Sequence, residues 1–139
     1  MQDVIRNWYA RDASLFATVD RLEAIGNECF AAFRAGDLSL VARCIDEYWQ
    51  LKQRMAPGCE PAFVTRLRSA MQCDGTTPTR SRVLSCASLA GAGGGGFLYG
   101  LLAPGVSRET LEATLATVEG ASEARIYSAS IDFKGLQYS

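Results

Sequence analysis

Positions Leu15, Val19, Leu22, Gly26, Cys29, Phe30 and Phe33 recur at three- and four-residue steps. That spacing predicts an amphipathic helix over 12–33, with Asp12 as N-cap and Gly36 just past its end. Asp37 then caps a second helix that carries Leu38, Val41, Ile45, Tyr48 and Met55 on one face and stops at Ala56–Gly58. "EPAF" opens a third helix with Pro61 at its first position, where a missing N–H costs no hydrogen bond. Val64, Leu67 and Met71 form its inward side. Periodicity then lapses from Gln72 to Cys86, where Gly75, Pro78 and a run of Thr and Ser predict a polar, solvated loop that stays mobile. The period changes next. Ser85–Ala90 and Phe97–Ala103 read as strands on either side of "GAGGGG". Ser107 caps a fourth helix with Leu111, Leu115 and Val118, ended by Gly120. Arg125–Ile131 alternates as a strand, and "FKGLQYS" adds a short last one.

The order is three helices followed by β-β-α-β-β. This is an α+β chain with a helical N-terminal part and an antiparallel or mixed sheet. Its 139 residues fit one domain over 1–139, long enough to bury a hydrophobic core. A content of 48% hydrophobic and 21% charged residues is that of an ordinary globular protein. The net charge of −1 gives no electrostatic reason for a nucleic-acid or membrane-surface partner. The longest apolar run, Phe97–Ala103, is far too short to span a bilayer.

Five cysteines without a C-x-x-C pair make neither a disulfide framework nor a zinc site, and read as reduced thiols of a cytoplasmic protein. Asp3 and Arg6 interrupt any leader-like apolar run at the start. Histidine does not occur, which removes Ser-His and Cys-His nucleophiles and the commonest metal ligand.

The glycine run carries the candidate chemistry. Gly91, Ala92, Gly93, Gly94, Gly95 and Gly96 formally fit G-x-G-x-x-G, yet a strand follows where the dinucleotide fingerprint needs a helix. No Gly-Lys-Ser/Thr follows, so it is not a Walker A loop either. Strands on both sides would hold the loop's ends, unlike a Gly/Ser linker. A glycine loop so held can turn several backbone N–H groups toward one anion, because no Cβ blocks the approach.

"SLAGAGGGGFLYGLL", Ser88–Leu102, resembles the third motif of the GHMP kinase superfamily. "YWQLKQRMAPGCEP", Tyr48–Pro61, and "VIRNWYAR" near the start are similar to the C-terminal region of L-fucokinases. The resemblance implies transfer of the ATP γ-phosphate to a sugar hydroxyl, here that of L-fucose or a related sugar. It implies a GHMP-type C-terminal domain whose glycine loop, Gly91–Gly96, faces the cleft, with Cys59 and Glu60 in a segment near it; a plain helix-capping role for Glu60 stands beside that. ATP and Mg²⁺ would be bound mostly by an N-terminal GHMP domain of the same enzyme, which carries P-x-x-x-G-L-x-S-S and the acidic catalytic residue. That motif does not occur here. The chain is therefore expected to hold only the C-terminal domain, with no catalytic residue or metal ligand of its own, to be inactive alone, and to carry a polar insertion at about 73–86. The alternative is a non-catalytic α+β module that binds a small ligand or a protein.

Overall fold

The computed structural model describes residues 2–72, 82–91, 93–130 and Lys134. Seven elements follow one another: α1 (Gln2–Tyr9), α2 (Ala13–Ala35), α3 (Leu38–Met55), α4 (Ala62–Met71), β1 (Leu84–Leu89), β2 (Leu98–Leu102) and α5 (Arg108–Ala116). The class is mixed α+β. Among the described residues, no helix is long and apolar enough to cross a membrane.

The caps fall where side-chain chemistry puts them. Asp12 accepts from the Leu15 amide at 2.8 Å, and Asp37 accepts from the Leu40 amide at 2.9 Å. Each thereby satisfies one N–H that a helix start leaves unpaired. Gly36 closes α2 in the left-handed conformation at φ 71°. Pro61 sits one place outside the expected position. Its extended backbone (ψ 148°) makes it the N-cap of α4 rather than its first residue. α5 ends at Ala116 with Thr117 as its C-cap, short of the expected Gly120, because the chain leaves the helix in successive tight turns at Val118 and Ala121.

Two buried seams meet on α3, the central helix. Leu22, Ile25 and Cys29 of α2 pack against Leu40, Cys44, Tyr48 and Leu51 of α3. Trp49, fully buried at 0% exposure, packs with Val64 and Leu89 on the other side. A third cluster joins Leu67, Met71, Leu84, Ala87 and Ala121, with α5 laid over it through Leu111 and Leu115. The expected apolar faces are thus rotated in part. Phe30 and Phe33 of α2 and Leu38 of α3 are exposed, since the seam follows positions 22, 25 and 29 instead. α1 was not foreseen. It rests on α2 through the stacked rings of Trp8 and Phe16, 4.7 Å apart.

β1 and β2 form an antiparallel hairpin that pairs Leu89 with Leu98 and Leu84 with Leu102. An irregularity between Leu84 and Cys86 leaves Ser85 as the extra residue. The strand begins at Leu84, so residues 84–86 belong to the sheet and not to the polar loop expected up to residue 86. Residues 73–81 of that loop lie outside the described residues. The expected strand from Arg125 is not formed over 125–130. Only Ile126 there is even half-buried, so the alternation has no core face to serve. The segment is held instead by the Arg108 guanidinium, which donates to the Ile126 carbonyl and the Ser128 hydroxyl at 3.3 Å each. The short last strand of "FKGLQYS" falls outside the described residues except for Lys134. The sheet among the described residues therefore has two strands.

Candidate functional site

The glycine loop is the tip of the β1–β2 hairpin, closed by the Ala90 amide donating to the Phe97 carbonyl at 2.8 Å. Gly91, Gly93, Gly94, Gly95 and Gly96 all have left-handed φ, at 72°, 93°, 85°, 136° and 91°. L side chains disfavour that region, so the loop's path depends on its composition. Ala92 lies outside the described residues.

Two anchors hold the loop against the helical layer. The Gly94 amide donates to the Cys59 carbonyl at 2.8 Å. The Lys52 ammonium donates to the Gly91 carbonyl. Gly93 is packed so closely that a Cβ on it would stand 2.5 Å from the Cys59 oxygen. A Cβ at Gly94 would meet open space. The structure thus brings Cys59 to the glycine loop through its backbone. Its thiol is half-buried and turned back toward the Lys52 carbonyl at 3.9 Å. One of the amides that could face an anion, that of Gly94, is already bonded within the protein.

Glu60 faces inward. Its Oε2 accepts from Trp49 Nε1, from Gln53 Nε2 at 3.0 Å and from an Arg68 guanidinium nitrogen at 2.9 Å. Its side chain is 6% exposed and that of Arg68 17%. Burial alone would raise the Glu60 carboxyl, but donors from Trp49 and Thr65 and the Arg68 charge outweigh it and hold the group below its ordinary range. Glu60 therefore clamps α3 to α4 rather than opening to the loop, and it gives α4 no side-chain cap.

Lys52 is the functional candidate that sequence reasoning missed. Its ammonium lies 5.7 Å from the Tyr48 ring centre and 5.5 Å from that of Trp49, beside the glycine loop. The visible signal was a lone lysine one helical turn after adjacent aromatics, in "YWQLK". A fixed cation next to glycine amides suits an anionic group such as a phosphate. Among the described residues no group of three His, Cys, Asp or Glu side chains is placed to hold a metal ion.

A concavity of about 420 Å³ runs along α3 and is lined by Arg43, Asp46, Glu47, Gln50, Leu51 and Arg54. At 100° per residue it faces away from Lys52 and the glycine loop. Its charges are largely committed to structure. Asp46 accepts from Gln72 at 2.9 Å and from the outer-edge amide of Ala87 at 3.3 Å. Glu47 takes both oxygens to Arg21 at 2.7 and 2.8 Å.

The chain matches no protein-family model, no curated protein and no solved structure.

Proposed function

We propose that this chain is the cleft-facing C-terminal half of an ATP-dependent sugar kinase of the GHMP type, acting on L-fucose or a related sugar. The observation that carries the reading is the glycine loop itself. Its described glycines are left-handed throughout, and it is tied at Gly91, Gly94 and the Ala90–Phe97 rung rather than swinging as a free tip. On this reading the fixed loop offers its remaining backbone amides, with the Lys52 cation beside it at Gly91.

In the proposed reaction a sugar hydroxyl attacks the γ-phosphorus. The new O–P bond forms as the bond to the β-phosphate oxygen breaks, and ADP leaves. Such transfers depend mainly on positioning and charge stabilisation. This chain's part is to wall the cleft and offer donors to an anionic oxygen. The acidic base, ATP and Mg²⁺ belong to the N-terminal domain of the same enzyme.

The test uses an enzyme that carries both domains, with ADP release measured against L-fucose and galactose. Gly94→Val should lower kcat by about 100-fold, since the side chain strains the loop and displaces reacting groups by about 1 Å. Its melting temperature should fall by only a few degrees, because the left-handed backbone strains a valine but no neighbouring atom meets it. The 139-residue chain alone should release no ADP. Near-normal kcat in Gly94→Val would remove the loop from the reaction and leave a binding module as the better reading.

A further inference from the structure

Cys29 on α2 and Cys44 on α3 stand opposite each other in the seam between the two helices. The helices run antiparallel from the turn at Gly36 and Asp37, and the two cysteines lie equally far from it. Both belong to one layer of side chains, in which Leu22, Ile25 and Cys29 meet Leu40, Cys44 and Leu51. Cys29 packs against the buried cluster to which Cys44 belongs. Cys44 is buried, at 3% exposure, whereas Cys29 is half-buried and reachable from solvent.

We propose that Cys29 and Cys44 form an inducible disulfide site, oxidised by a small-molecule disulfide such as glutathione disulfide, that locks α2 to α3. The site has an entry thiol and a resolving thiol. Cys29 loses its proton to solvent and its sulfur attacks one sulfur of the glutathione disulfide. That S–S bond breaks, and the first glutathione leaves and takes up a proton. Cys44 then loses its proton and attacks the Cys29 sulfur, and the second glutathione leaves as a thiol. One S–S bond is broken and one is formed. The protein loses two electrons and two protons, and glutathione disulfide gains them.

Burial and the neighbouring Cys29 push the Cys44 thiol up, which suits a resolving thiol that reacts only after Cys29 is engaged. Cys86 is also pushed up, chiefly by burial, and sits within β1 at 0% exposure. Cys59 sits at the glycine loop on the other side of α3. The linkage would close the chain around the α2–α3 turn and remove conformations from the unfolded state. It needs no catalytic role for the chain, so its outcome is independent of the kinase reading.

The full chain is incubated with glutathione disulfide, alkylated and digested with trypsin without reduction. Cleavage after Arg21, Arg34, Arg43 and Lys52 isolates peptides 22–34 and 44–52, each with one of the two cysteines. The expected result is a cross-link between these peptides, a loss of two hydrogens from the intact mass, and a melting temperature raised by several degrees. Dithiothreitol reverses all three. Cys44→Ala should instead stop at a glutathione adduct on Cys29, and Cys86→Ala should leave the cross-link unchanged. A persistent glutathione adduct on Cys29 of the natural chain, a cross-link from Cys29 to Cys73 or Cys86, or an unmodified Cys29 would overturn the proposal. The mapping on the natural chain decides the matter even if a variant does not fold.

Discussion

Gly94 and Gly100 lie six residues apart on one hairpin and are glycine for different reasons. At Gly94 the backbone is left-handed (φ 85°) in open space, so the constraint is local conformation. At Gly100 the neighbouring strand is the constraint: a Cβ there would clash outright with the Cys86 carbonyl oxygen and press on Leu84 at 3.3 Å. A methyl group can be carried by strained dihedrals at a cost of about 1–2 kcal/mol. It cannot share space with backbone, so the strands must part beside the irregularity at Ser85. Gly100→Ala should therefore destabilise the chain by roughly 2–4 kcal/mol. Gly94→Ala should cost clearly less. Urea unfolding of the two variants checks the order, and equal midpoints would refute it. Sequence spacing alone assigned both glycines to a strand–loop–strand unit, but the clash partner of Gly100 depends on register, which no local pattern contains.

Among the elements, α3 and α4 are joined through Glu60, whose carboxylate is the shared acceptor of Trp49, Gln53 and Arg68. A carboxyl held below its ordinary range stabilises the fold fully above its unfolded pKa of about 4.3 and loses that contribution as pH falls through the folded value. Glu60→Gln keeps an acceptor but gives up the charge facing Arg68. At pH 7 it should cost about 1–3 kcal/mol. The gap between the natural chain and Glu60→Gln should narrow toward pH 3, measured as urea midpoints across the range. Glu47 and Glu109 are also held low, but both chains carry them, so the difference isolates Glu60. A gap independent of pH would mean that the charge contributes nothing. The helix spans were legible because caps and periodicity are local: Asp12, Asp37 and Ser107 all cap as their positions predict. The inward turn of Glu60 was not legible, because it depends on Trp49 and Arg68 arriving from two different helices. The strand expected from Arg125 failed for the related reason that alternation has meaning only against a packed face.

At the scale of the whole molecule, the core is gathered around α3 and β1 and leaves apolar side chains exposed on the helical part and on the hairpin. Ile5, Trp8 and Tyr9 are exposed on α1, with Phe30, Phe33 and Leu38 about the α2–α3 turn. Phe97, Tyr99 and Leu102 are exposed on and beside β2, and the Tyr127 ring meets that of Phe97 edge-on at 6.0 Å. Among the described residues β2 pairs with β1. Exposed apolar surface of this kind recruits a partner or a second copy. The net charge of −1 supplies little repulsion to oppose it. The isolated chain should therefore self-associate as concentration rises. A lysine at Tyr99 places a charge on β2 itself and should suppress association, whereas Phe30→Lys on α2 should act weakly. Light scattering over a concentration series measures this directly. A clean monomer throughout would show that the exposed aromatics do not drive association. Suppression by Phe30→Lys with no effect of Tyr99→Lys would place the sticky surface at the helical turn and not on the hairpin.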